Sequence, residues 1–295
     1  MNKTNKNLMY ILLFFAMFGW GASWVNVKVL SSYINEFEMV FLRFGITALS
    51  MIPVILFFKH SFKIDIKSLL LVFLTSIFFI AYMKYFFLGT KYGTASLGGA
   101  FVTSLIPINT FLILAFLRIK HIEKKDYFAL ILGAFGVMTI LNIWFFDLKS
   151  ILLIQNLYFI LASLLWPIVT ILSSKATKIS PLVFSFYLYI ITCFIDVVFF
   201  MEITNLDFKS FDSIFYINLF SLSIFASTFA NSVYFIGIKK LGASEVSTFI
   251  FLVPFFAIGL SIVFLKEEVN FFIIVGTIMT LYAVKILNNI RFTKN

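Results

Sequence analysis

Four ionisable side chains stand out inside long apolar runs: Lys28, Arg43, Lys84 and Asp196. A charge at the centre of a membrane helix costs at least about 2.5–3.5 kcal/mol, so it turns to a partner or to a water-filled cavity. Two kinds of chemistry follow. A buried cation can neutralise the carboxylate or phosphate of a solute, and a buried acid can pair with a cation or carry a proton. Arg43 or Lys84 is expected to pair with Asp196, which leaves another cation for the solute. Asp196 is the only acid well inside an apolar run, which also marks it as a proton carrier. Lys28 lies nearer the end of its run, where a long side chain can instead snorkel to lipid headgroups.

Uncharged groups accompany them. Asn109 and Asn231 offer hydrogen bonds without charge, and Trp20, Trp24, Tyr82, Tyr85, Trp166 and Tyr234 offer aromatic surface. Pro107 and Pro254 fall near the middle of apolar runs. A proline inside a helix has no N–H to donate and clashes with the carbonyl four residues earlier. The carbonyls of Thr103 and Ile250 therefore lose their donors, and within a bilayer such groups must meet protein or water. The expected substrate contacts are Trp20, Trp24, Arg43, Lys84, Tyr85, Asn109, Asp196, Asn231 and Tyr234, with Pro107 and Pro254 as hinges.

Enzymatic chemistry finds little support. His60 and His121 lie in short basic loops without an acidic partner at a telling spacing. No zinc motif, nucleophile elbow or phosphate-binding glycine loop occurs. Cys193 is the single cysteine, which excludes a disulfide framework and a Cys-based zinc site. No catalytic residue, metal or cofactor is expected, and no hydrolysis of ATP by this chain.

Membrane helices must hold these groups. With 62% hydrophobic and 12% charged residues, the chain departs from soluble domains, which carry about 25% charge. Ten apolar runs cover 8–30, 37–58, 68–90, 94–117, 127–146, 151–173, 181–201, 213–238, 243–265 and 270–288. Runs of about 18–25 residues are long enough to cross a bilayer core of about 30 Å as helices. The first run is longer than the apolar part of a signal peptide and continues as Trp20-Gly21-Ala22-Ser23-Trp24, with Lys28 following in place of a small-residue cleavage site, so it reads as a retained helix.

The net charge of +10 encodes orientation rather than affinity for nucleic acid. With the N-terminus inside, fifteen Lys and Arg residues, from Lys3 and Lys6 to Arg291 and Lys294, face the cytoplasm. Only four, Lys91, Lys149, Lys209 and Lys266, fall in the opposite loops, among acids such as Glu36, Asp147, Glu202, Asp207 and Glu267. This asymmetry predicts a multi-pass protein of the inner (plasma) membrane with both termini in the cytoplasm.

The chain also repeats itself. Tyr85-Phe86-Phe87-Leu88-Gly89-Thr90-Lys91-Tyr92-Gly93 is echoed by Tyr234-Phe235-Ile236-Gly237-Ile238-Lys239-Lys240-Leu241-Gly242, with four of nine positions matching. Each copy leads into a proline-bearing apolar run. Ten helices in two halves, expected at 1–147 and 148–295, give five per half. Five is odd, so the second half enters from the opposite side. The expected fold class is an all-α integral membrane protein with ten transmembrane helices in two inverted five-helix repeats and a cavity between them. Gly98-Gly99-Ala100 and Gly133-Ala134-Phe135-Gly136 are expected to let helices approach closely. Glu245 opens the ninth helix, where the helix N-terminus favours a negative charge.

In order and spacing, several segments resemble the EamA-type ten-helix exporters of the drug/metabolite transporter superfamily. They are Trp20-Gly21-Ala22-Ser23-Trp24 with Lys28, Phe41-Leu42-Arg43-Phe44 and Tyr92-Gly93-Thr94-Ala95-Ser96 before Pro107. The second half adds Leu241-Gly242-Ala243-Ser244 before Pro254, then Leu265-Lys266-Glu267 and Gly276. The family's glycine–glutamate pair after helix 4 is replaced by Arg118-Ile119-Lys120, and the second copy keeps Glu267 but puts Lys266 in place of the glycine. The resemblance implies export or exchange of small organic metabolites such as amino acids, by alternating access between the repeats. The implied partners are a small-molecule substrate and the lipid bilayer, with protons as one coupling option beside exchange and facilitated diffusion; no oligomeric state is assigned. The rival readings are an integral membrane enzyme acting on lipid and a non-transporting receptor or subunit.

Overall fold

The computed structural model describes residues 3–119, 121–141, 152–201, 206–242, 245–246 and 248–287. Among the described residues all regular structure is helical, in ten helices. The first half comprises α1 (Lys3–Leu30), α2 (Glu36–Phe57), α3 (Ile66–Tyr92), α4 (Ala95–Phe116) and α5 (Lys124–Ile140). The second comprises α6 (Ile154–Ser174), α7 (Pro181–Phe199), α8 (Ser213–Leu241), α9 (Phe249–Leu265) and α10 (Phe271–Leu287). Helices α1–α4 and α6–α8 are long and apolar enough to cross a membrane, while α9 and α10 are apolar but shorter. Helix α5 opens on the charged turn Lys124, Lys125 and Asp126. The expected spans 127–146, 151–173, 243–265 and 270–288 each run partly over positions outside the described residues. Lys120, Asp147, Lys149, Glu202, Ala243, Ser244, Arg291 and Lys294 also lie outside them.

The starts follow from capping residues. Asn35 accepts from the backbone N–H groups of Phe37 and Glu38, and Glu38 returns a bond to the Asn35 N–H, so orphan donors of α2 are satisfied in both directions. Asp65 and Thr94 cap α3 and α4 in one direction only, accepting from the backbone N–H groups of Ser68 and Leu97. Pro181 occupies the first turn of α7, where its missing N–H costs nothing.

Packing obeys the two-fold relation. Shifting each helix number by five maps the α3–α6 contact onto α1–α8, α4–α6 onto α1–α9, and α3–α7 onto α2–α8, and all six contacts occur. The pairs α5–α10, α2–α7 and α4–α9 map onto themselves, and each is in contact. Because each half has an odd number of helices, the two repeats are inverted. Without a hydrophobic drive between helices in lipid, close backbone approach must come from small residues. A Cβ on Gly276 would run into the Gly136 carbonyl, and one on Gly99 into Ala257, so glycines set the α5–α10 and α4–α9 contacts.

Two helices leave the α geometry. Helix α8 is a π-helix over Ser221–Asn231, and α9 ends in a π segment at Ser261–Leu265. After it, Lys266 takes left-handed backbone angles (φ 54°), as does Arg118 (φ 59°) at the corresponding end of α4. Both positions thus keep the turn that glycine adopts most cheaply, although neither is glycine.

Candidate functional site

A cavity lies at the junction of the repeats. Trp20, Ser23 and Trp24 of α1, Arg43 of α2, Tyr82, Met83 and Phe86 of α3, and Thr103 and Ile106 of α4 line it from the first half. Trp166 of α6, Asn231 of α8, and Ile250 and Val253 of α9 line it from the second. Its volume, about 30 Å³, holds a water or two and is far below the several hundred Å³ of a metabolite site.

Thr103 and Ile250, four residues before Pro107 and Pro254, both line the cavity. Pro107 lies inside α4, whereas Pro254 stands in the first α-helical turn after the 3-10 turn Thr248–Phe251, so α9 is interrupted near its start and not at its middle. Two other prolines show that interruption alone does not mark the cavity. Pro53 in α2 frees the carbonyl of Leu49, a residue exposed on the outside of the bundle. Pro167 in α6 frees that of Ser163, and Asn109 Nδ2 donates to this carbonyl at 3.0 Å and to Ser163 Oγ at 3.0 Å. Asn109 therefore repairs a helix and ties α4 to α6.

A polar chain crosses the aromatic wall. Trp20 Nε1–H donates to Asn231 Oδ1 at 2.7 Å, and Asn231 Nδ2–H donates to the Tyr189 hydroxyl at 2.7 Å. Trp20 meets Trp166 edge-on at 5.2 Å and leans on Tyr234 at 4.7 Å. Trp24 packs edge-on against Phe86 at 4.4 Å. Tyr234 is fully buried behind Trp20, with its hydroxyl 3.4 Å from Thr170 Oγ1.

Arg43 is buried at 4% exposure. Its Nε–H donates to Ser227 Oγ at 2.8 Å and its Nη1–H to Met83 Sδ at 3.5 Å, while the guanidinium lies 5.2 Å from the Phe44 ring centre. The π segment of α8 is what offers Ser227 here. The Ser227 and Thr228 hydroxyls donate to carbonyls five residues back, and Thr47 Oγ1 bonds the Ser223 carbonyl at 3.0 Å to lock α2 on this stretch. Single-turn or longer π segments in helices cluster at functional sites.

The expected pairing of Asp196 is not formed. Among the described residues Asp196 is fully buried on α7, and neither carboxylate oxygen has a partner. Thr192, one turn earlier, is likewise buried with an unpartnered hydroxyl. Lys84 is half-buried with its ammonium 5.6 Å from the Phe37 ring and does not line the cavity. Tyr85 also faces elsewhere, stacking on Tyr158 at 6.0 Å. The structure thus gathers Trp20, Trp24, Arg43 and Asn231 around the cavity, with Tyr234 behind them, and leaves Lys84, Tyr85, Asn109 and Asp196 outside the lining. Met83, Ser227 and Tyr189 carry no sequence signal for this place; helix phase alone puts them there.

Each membrane face carries a polar tie between helices. On the face where α1 begins, Glu245 pairs with Lys6 at 3.0 Å and accepts from the Tyr10 hydroxyl. Partial burial pushes the Glu245 carboxyl up, but the hydrogen bonds from Tyr10 and Lys6 and the Lys6 charge hold it below its ordinary value. On the opposite face both Glu267 oxygens accept from the α4 N-terminus, from Ala95 N and Ser96 N at 2.9 Å each. Lys28 does not snorkel; its ammonium caps the end of α3 through the Lys91 and Gly93 carbonyls at 2.9 and 2.6 Å.

The model of the EamA-like transporter family matches twice, over residues 7–142 and 153–289, once for each repeat. This chain belongs to the EamA-like transporter family. It is accordingly a multi-pass membrane transporter with a small-molecule substrate and the lipid bilayer as its surroundings. Among curated proteins no match is found. A protein of known crystal structure, 14% identical, superposes with a TM-score of 0.67 over 95% of this chain and 96% of its own. That likeness concerns the fold alone, which this EamA-like transporter shares through almost its whole length.

Proposed function

We propose that this EamA-like transporter is a secondary exporter or exchanger of small organic metabolites such as amino acids, and not an enzyme. It works by alternating access between repeats bounded at about residues 147 and 148. One observation carries the reading: the cavity lies between the inverted repeats, and the residue preceding each matched proline by four, Thr103 or Ile250, lines it. Interrupted helices at matched positions are where inverted-repeat transporters bind solute. Trp20, Trp24, Arg43 and Asn231 supply the contacts, Tyr234 supports them, and Pro107 and Pro254 act as hinges. The Lys6–Glu245 tie and the Glu267 cap hold opposite faces shut. Asp196, buried without a partner, is the acid available to carry a coupling proton. The excess of Lys and Arg in the N-terminal-side loops supports a plasma-membrane protein with cytoplasmic termini.

Purified protein in lipid vesicles, preloaded with one amino acid at a time and challenged with labelled external solute, tests this. Saturable counterflow for at least one solute is expected. Binding without movement would favour a receptor, and chemical conversion of vesicle lipid would favour an enzyme.

A further inference from the structure

The cavity holds one charged side chain and nothing to balance it. Arg43 has five N–H donors, and two are used, by Ser227 Oγ and Met83 Sδ. Three remain without a protein acceptor among the described residues. The ion pairs there are Lys6–Glu245 and Lys125–Glu123, neither near Arg43. A buried guanidinium left uncompensated is costly in a membrane, so the position favours whatever anion enters the cavity. The other lining residues carry no charge. A single positive charge balances a monoanion and leaves a phosphate dianion half compensated. The planar guanidinium matches two oxygens on one carbon. Around it, Trp24, Tyr82 and Phe86 present flat apolar walls, and Trp166 continues them 4.8 Å from Tyr82.

We infer that Arg43 docks the carboxylate of a monoanionic solute whose apolar body lies against Trp24, Tyr82 and Phe86. This rests on the transport reading of the same cavity. The helices must part before the body of such a solute enters, since a cavity of this size takes only water.

The probes are phenylacetate, its uncharged amide phenylacetamide and the dianion-forming phenylphosphonate. Each is titrated into the purified full-length protein while the fluorescence of the lining tryptophans is followed. Phenylacetate is expected to bind saturably and roughly tenfold or more tighter than the amide, the value of a charge-assisted hydrogen bond. It should also bind tighter than the phosphonate. Arg43→Gln should remove the preference for carboxylate, and Arg43→Lys should keep a reduced one. Equal binding of amide and carboxylate by the unaltered protein overturns the inference, as does tighter phosphonate binding or no saturable response to phenylacetate. These comparisons need no variant, so a misfolded Arg43→Gln protein does not protect the inference. Vesicle flux separates the two readings. A carboxylate that binds through Arg43 but never crosses sinks the transport reading alone, and flux of uncharged solutes indifferent to Arg43 sinks this inference alone.

Discussion

Asn109 shows how a residue can look like a solute contact and serve the fold. Its amide donates to the Ser163 carbonyl, the group that Pro167 deprives of a helical donor. In a membrane that carbonyl has no water to turn to. Asn109→Leu should lower the thermal stability of the purified protein by about 1 kcal/mol, the usual scale of an interhelical hydrogen bond in lipid. Binding of solute by the folded fraction should be unchanged; a specific loss of affinity without destabilisation would return Asn109 to the site. Arg43 is the opposite case. Its spare donors have no structural duty among the described residues, and its burial without a counter-ion directs it to the cavity.

At the scale of elements, the turn after α9 joins two effects. Lys266 holds a left-handed conformation (φ 54°) at a cost of roughly 1 kcal/mol for a residue with a Cβ. The turn delivers Glu267 to the first N–H groups of α4, where a carboxylate gains from both hydrogen bonds and the helix dipole. Lys266→Gly should therefore raise the melting temperature modestly. Glu267→Gln keeps the shape but loses the charge, and should destabilise by about 0.5–1 kcal/mol while speeding opening of that face in flux assays. If Glu267→Gln leaves both stability and flux unchanged, the cap does not hold the face shut. The turn after α4 copies the left-handed geometry with Arg118 (φ 59°), so the repeats share backbone shape where their residues have diverged.

For the whole molecule, the inverted repeats make opening at one face the mirror of opening at the other, with the cavity as the fixed point. Orientation in the cell follows from loop charge and is tested by labelling. In a Cys193→Ser background, a cysteine at Ser61 should react with a membrane-impermeant maleimide only after the membrane is opened. One at Asp207 should react from outside in intact cells. The reverse pattern would invert the orientation and make the proposed exporter face the other way.

The sequence alone determined the class, the ten-helix count and the duplication, because a bilayer demands apolar runs of fixed length and the repeat survives in the Tyr-Phe-Lys-Gly echo and the matched prolines. It also named Trp20, Trp24, Arg43 and Asn231 as polar or aromatic groups within the membrane. Only the tertiary structure decided which of the named groups meet. Depth along a helix can be counted from sequence, but the direction a side chain faces depends on helix phase and crossing. The π stretch of α8, which no proline or glycine announces, shifts that phase to bring Ser227 to Arg43 and Asn231 to Trp20. The expected pairing of Asp196 with Arg43 or Lys84 failed although their helices touch: Arg43 turns to Ser227 and Met83, and Lys84 lies against the Phe37 ring.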